Sequence, residues 1–153
     1  MSLTRLAVFF AAGALAAGIA ATAIAQDAAT PDFAAMSHED LVKARQDAMK
    51  EDGGLIRRAG GFSGPEAVAA AETIIRNYTN LPHMFPEGSI VGDSEALPAI
   101  WQDFDTFTGI FAKGLKGAED MKAAAEVGDA AAYAAALQVV GGTCGECHQK
   151  FRS

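Results

Sequence analysis

Five residues before the last residue, Ser153, stands the string Cys144-Gly145-Glu146-Cys147-His148. On a helix, cysteines three apart and a histidine four from the first share one face. Cys-x-x-Cys-His is the attachment pattern of a c-type haem. Two thiols add across the vinyl groups of one porphyrin, and the adjacent imidazole binds the iron. The chain has no other cysteines, so no disulfide framework competes for them. A zinc site needs a fourth ligand and usually a second paired cluster, and only His38 and His83 remain. A thioredoxin-type pair follows a strand and opens a helix, whereas this pair closes a helical chain. One covalently attached haem c per chain is therefore expected, with Cys144 and Cys147 as thioethers and His148 as the proximal iron ligand.

The other end of the sequence says where such a chain goes. Arg5 is followed by an apolar stretch from Leu6 to Ile24, and Ala23-Ile24-Ala25 precedes Gln26 as a small-x-small cleavage site. This predicts a secretory signal over residues 1–25 and a mature domain over residues 26–153. The alternative is a membrane anchor, because the apolar run is near the lower length for a span. Its Gly and Ala content and the Ala-x-Ala end favour cleavage and no insertion afterwards. The remaining 128 residues suffice for one domain with one core. They carry 11 basic and 19 acidic side chains, a formal charge of −8. That balance disfavours nucleic acid and anionic lipid, and it favours a basic protein partner. Haem attachment to this motif in bacteria takes place outside the cytoplasmic membrane, so signal and motif agree on a periplasmic protein.

No strand-like alternation of any length is present. Four helical stretches are expected instead. The first runs from about Ser37 to Gly60, with Ser37 as N-cap and Asp40 three residues later, close to a capping-box pattern. The second starts after Ser63-Gly64 with Pro65 in the first turn and ends near Asn80. Its apolar side includes Val68, Ile74, Ile75 and Tyr78. Residues 81–97 contain Pro82, Pro86, Gly88 and Gly92 and read as a long connection without regular structure. The third helix is expected from Pro98 to Val127, weakened by Gly109, Gly114 and Gly117. Trp101, Phe104, Phe107 and Phe111 supply core aromatics along it, and Asp103, Asp105, Glu119 and Asp120 a wet face. Gly128-Asp129 is a stop followed by an N-cap. The fourth helix then runs from Asp129 to about Phe151, through Gly141-Gly142 into the haem motif. An all-α four-helix bundle with its haem near the C-terminus of the fourth helix follows.

Several segments carry a resemblance to a known family. Gly141-Gly142-Thr143 precedes the motif, and Gln149-Lys150-Phe151-Arg152 follows it. To these add Arg45-Gln46-Asp47-Ala48-Met49-Lys50, Leu81-Pro82-His83-Met84-Phe85-Pro86-Glu87-Gly88 and Ile100-Trp101-Gln102-Asp103-Phe104. Together they resemble the class II cytochromes c, meaning cytochrome c′ and its low-spin relatives of the cytochrome c-556 type. The resemblance implies that Met49 occupies the distal position of the first helix and Arg45 lies near a haem propionate. It implies that Arg152, one turn beyond His148, lies near the proximal face. A solvated helix position is the alternative for Arg45. Gly145 stands where many members have lysine, which makes the exposed haem edge less basic. A homodimer packed through the first two helices is one arrangement the resemblance allows. Leu55, Ile56 and Val68 serve either that or a core.

Three functions separate on the sixth coordination position. If Met49 bonds iron opposite His148, the chain is a periplasmic electron carrier with transient redox partners. Gln46-x-x-Met49-Lys50-x-x-Gly53 points to that branch, and a thioether ligand favours reduced iron. If Met49 is a non-bonding lid, the chain is a five-coordinate binder of nitric oxide or carbon monoxide. A haem peroxidase would need a distal acid–base group, and the distal stripe offers Val42, Gln46 and Met49. Met84 is the other thioether on offer, with closure of the core as its expected role. No nucleophile–base pattern or phosphate loop appears, so no enzyme is expected.

Overall fold

A computed structural model gives the fold and describes residues 31–153. The expected signal lies outside the described residues. Four long helices, α1 (His38–Ala59), α2 (Gly64–Asn80), α4 (Phe104–Val127) and α5 (Ala130–Phe151), are joined by short turns and by the connection that holds the four-residue α3 (Ala99–Gln102). Among the described residues no helix is long and apolar enough to cross a membrane.

Local chemistry sets the helix ends. The Ser37 hydroxyl accepts from the Asp40 N–H at 3.1 Å and donates to the Asp40 carboxylate at 2.8 Å. That satisfies a backbone donor that α1 itself leaves free. Gly128 closes α4 at φ 72°, a left-handed cap that favours glycine, and its N–H reaches the carbonyls of Ala124 and Ala125. Asp129 then caps α5 by accepting from the Ala132 N–H at 2.9 Å. Asp129→Ala is expected to lower stability by about 1 kcal/mol in urea denaturation while leaving the haem spectrum unchanged.

The third helical stretch differs from expectation in one respect. Gly109, Gly114 and Gly117 do not break it; the break falls at Asp103, with φ −137° and ψ 56°. Gly114 and Gly117 are contact points. A Cβ on Gly114 would lie 2.0 Å from Tyr78 Cε1, and one on Gly117 would lie 3.0 Å from Val140 Cγ2. The helix therefore continues through them because α2 and α5 press on it there, which offsets the poor propensity of glycine. α4 makes its largest contacts with α5 and α2.

The core is built around Phe107, which is 1% exposed. Its ring meets Phe85, Phe111 and Phe151 edge-on at 5.0, 5.1 and 5.4 Å, the favoured aromatic geometry. Leu41, Ile74, Leu81, Ile100, Met121 and Val140 are buried with it, and Met84 closes the core as expected. Phe104 is a correction: it is 44% exposed and only stacks on Phe107, because the turn at Asp103 swings it outward. Trp101 is half-buried and donates to the Phe85 carbonyl at 3.1 Å. Asp103, Asp105, Glu119 and Asp120 are exposed. Leu55, Ile56 and Val68 are partly buried against the core.

The connection over residues 81–97 is more ordered than its prolines and glycines suggest. It opens with a 3-10 turn, Leu81–Met84. It ends in an isolated antiparallel bridge between Ala96 and Arg152, with Leu97 N–H donating to the Phe151 carbonyl at 2.9 Å. The last residues of α5 and the end of this connection are thereby held side by side.

Candidate haem site

α5 presents the motif as one helical turn. A cavity of about 720 Å³ runs beside it, within the range of cofactor pockets, about 300–1,000 Å³. Cys147, His148, Phe151 and Arg152 line it from α5. Gln46, Met49, Lys50, Gly53 and Arg57 line it from α1. Phe85, Ile100 and Phe107 add apolar wall, and residues 93–96 close a third side. The imidazole and the thioether expected to bind iron thus line one cavity from two different helices. Met84, buried in the core, is not among its lining residues. Cys144 sits one turn before His148, half-buried, with its sulfur 3.6 Å from the Tyr78 hydroxyl.

The electrostatics suit the attachment reading. Burial first, then Cys144 and Glu146, push the Cys147 thiol up to about 11. Redox-active cysteine pairs and metal thiolates have lowered values, so this is a poor redox dithiol. Among the described residues no cluster of three His, Cys, Asp or Glu side chains could hold a bare metal ion. Burial and the neighbouring Arg152 hold the His148 imidazole below its usual range, against a smaller opposing pull from Glu95. A neutral imidazole keeps a lone pair free for iron. Arg152 itself pairs with Glu95 through Nε at 2.8 Å and through Nη2, on the same rim as His148.

Arg45 is 3% exposed, which removes the solvated alternative. Nη1 donates to the Met84 carbonyl at 2.9 Å and the Ser89 hydroxyl at 3.0 Å. Nη2 donates to the Ser89 carbonyl at 2.8 Å and the Ser94 hydroxyl at 2.7 Å. The guanidinium also lies 4.3 Å over the Phe85 ring. All four acceptors are neutral, so the cation has no counter-ion among them while it lines the cavity. Burial lowers its pKa, as expected for a charge held without an anion.

The cavity with its cysteine, imidazole, thioether and buried cation fits a haem. The chain matches the family model for cytochrome c′ over residues 37–152. It belongs to the cytochrome c′ family. Its helical bundle and its single covalently attached c-type haem are those of that family. It is 34% identical to the cytochrome c′ of Rhodospirillum rubrum over 139 residues, covering 90% of this chain and 92% of that one. It is 40% identical to a cytochrome c-556 of Agrobacterium tumefaciens over 119 residues, covering 72% and 95%. Among solved structures, the cytochrome c′ of Rhodopseudomonas palustris superposes with a TM-score of 0.66 at 28% identity, over 74% of this chain and 96% of that one. The cytochrome c′ of Thermochromatium tepidum gives 0.70 at 23% identity, over 77% and 98%, which speaks to the fold.

Within this cytochrome c′ fold two residues near the site escaped the sequence reading. Tyr78 reads as one more apolar position of α2, and Asp52 as one more charge of α1. Both are buried; the packing of α2 against α5 brings the Tyr78 hydroxyl to Cys144, and Asp52 accepts a hydrogen bond from the neighbouring Asn77.

Proposed function

We propose that this chain is a periplasmic electron carrier in which His148 and Met49 are the two axial ligands of the haem iron. The observation that carries the reading is that both side chains line one cavity, one from α5 and one from α1. The bound haem supplies a one-electron Fe(III)/Fe(II) couple. Cys144 and Cys147 fix the porphyrin edge to α5, and the neutral His148 offers its lone pair. Met49 offers a soft sulfur, which favours the reduced metal and raises the potential. Arg45 places a buried positive charge beside the cavity, and a propionate would supply its missing counter-ion. Its Nε–H is the donor still free for that bond, since both Nη atoms are committed to the connection. Arg152 caps the proximal rim. Phe85, Phe107 and Phe151 keep water from the ring. Export by the N-terminal signal places the carrier where haem attachment occurs, and its acidic surface suits brief, small contacts with basic redox proteins.

The second reading is a five-coordinate gas binder with Met49 as a non-bonding lid. The similarity to Rhodospirillum rubrum cytochrome c′ over 90% of the chain favours it. Met49→Ala separates the two. Under the first reading the variant gains carbon monoxide binding that wild type lacks. Its potential also falls on the order of 0.1 V, a fraction of the about 0.8 V that axial ligands span. Under the second, wild type already binds the gas and the variant only binds it faster.

A further inference from the structure

Asp52 is a carboxyl group buried where a bundle core has little use for one. It is 3% exposed. Oδ1 accepts from Asn77 Nδ2 at 2.8 Å, and Oδ2 has no hydrogen-bond partner among the described residues. No cation bonds it. Arg76 of α2 pulls on it only from a distance and is itself paired with Glu51, whose own negative charge opposes ionisation of Asp52. Asn77 further divides its amide between Asp52 and Glu51. His83 of the 3-10 turn stays exposed. A lone buried carboxylate is costly, and such a group lowers the cost by binding a proton.

The position of this carboxyl relative to the haem attachment is what gives it a role. Tyr78, the neighbour of Asn77 on α2, is close enough to feel the charge of Asp52. Its hydroxyl is buried 2.9 Å from Thr143 Oγ1 and 3.6 Å from Cys144 Sγ. The Thr143 proton is already given to the Val140 carbonyl at 2.7 Å, so the Tyr78 hydroxyl is the donor towards α5. Once Cys144 is a thioether it has no proton to give, and the tyrosine remains the donor to that edge. Gly114 permits this, since a side chain there would occupy the space of the Tyr78 ring. A buried carboxyl thus lies within electrostatic reach of the tyrosine hydroxyl that touches the Cys144 sulfur. The medium there is apolar, where charges interact strongly.

We propose that Asp52 is a redox-linked proton site: when a one-electron donor protein reduces the haem, Asp52 takes a proton from solvent, and it returns that proton on oxidation. The balance is one electron to Fe(III) and one proton to the Asp52 carboxylate, so the net charge of the core is unchanged by the reaction. The inference uses the covalent haem and does not depend on whether Met49 bonds iron. Burial pushes the Asp52 carboxyl up to about 7, with Asn77 opposing and Glu51 assisting, which puts its exchange in the neutral range.

The test is the midpoint potential of the holoprotein between pH 5 and 9, for wild type and Asp52→Asn, with infrared redox-difference spectra. Reduction removes positive charge and raises the affinity of Asp52 for a proton, so the potential falls as pH rises between its oxidised-state and reduced-state pKa values. The slope approaches 59 mV per tenfold change in proton concentration, the one-electron value. In Asp52→Asn that segment is expected to vanish, while slopes from propionates or His148 persist in both proteins. A protonated-carboxyl band gained on reduction near pH 7 should be present in wild type and absent in the variant. Asparagine keeps the acceptor for Asn77, so the variant should fold, with a urea midpoint above wild type at pH 8 and a difference that shrinks as pH falls through the folded-state value and closes only near about pH 4. Superposable potential profiles, or a carboxyl band that survives the substitution, would overturn the proposal. Met49→Ala should keep the pH dependence even if it abolishes low-spin ligation, which separates this claim from the one above.

Discussion

Gly114→Ala is expected to destabilise the holoprotein by about 1–3 kcal/mol, although alanine is the better helix former by about 1 kcal/mol. The new Cβ would lie 2.0 Å from Cε1 and 2.6 Å from Cδ1 of Tyr78, and 3.0 Å from Thr143 Oγ1. Contacts that short do not occur in folded proteins, so the ring or a helix has to move. The ring has little room, because Phe111 packs edge-on against it at 5.7 Å and its hydroxyl is held between Thr143 and Cys144. A helix shift would instead open the largest interfaces of the bundle, α4 with α5 and with α2. In a Tyr78→Leu background the same substitution is expected to be neutral or slightly stabilising, since the clash is gone and only propensity remains. A double-mutant cycle by urea denaturation should therefore return a coupling of about 1–3 kcal/mol. Additive effects would mean that the close approach of α2 and α4 is wrong.

Arg45→Met should cost about 3–5 kcal/mol, because several buried acceptors lose the one donor they share. The methionine stem fills much of the volume but restores none of the four hydrogen bonds. It leaves the Met84 and Ser89 carbonyls and the Ser89 hydroxyl without their donor, each a desolvated polar group worth about 1–3 kcal/mol when unmet. The loss should be local. Amide exchange in the connection over residues 85–97 is expected to speed up far more than in α4 or α5. Arg45→Lys should rescue little, because a single ammonium cannot span acceptors on Met84, Ser89 and Ser94 at once. Protection that stays uniform across the chain in Arg45→Met would show that the guanidinium does not anchor this segment.

The two predictions also mark where sequence reading succeeds and where it stops. Ser37, Gly128 and Asp129 act through the backbone beside them, so the helix ends were legible as written. Cys-x-x-Cys-His carries its chemistry within five residues and needs no tertiary information. Gly114 was misread as a weak point because its reason lies on another helix, in the ring of Tyr78. Arg45 was legible as a site residue by resemblance. Its bonds to Ser89 and Ser94 were not, since they reach more than forty positions along the sequence into an irregular connection. Phe104 kept the helical period of its neighbours, yet a single non-helical residue, Asp103, turned it outward. Asp52 looks like any surface acid of α1, and only the packing of α2 against it makes it a buried one.

The central claim is that His148 and Met49 together complete the iron coordination, and the absorption spectrum of the purified holoprotein tests it most directly. It should be recorded oxidised, reduced, and reduced under carbon monoxide. Two axial ligands from the protein predict a sharp low-spin reduced spectrum that the gas leaves unchanged in wild type and shifts in Met49→Ala. A broad high-spin spectrum in wild type that shifts readily with carbon monoxide would contradict the claim and make the chain a five-coordinate gas binder.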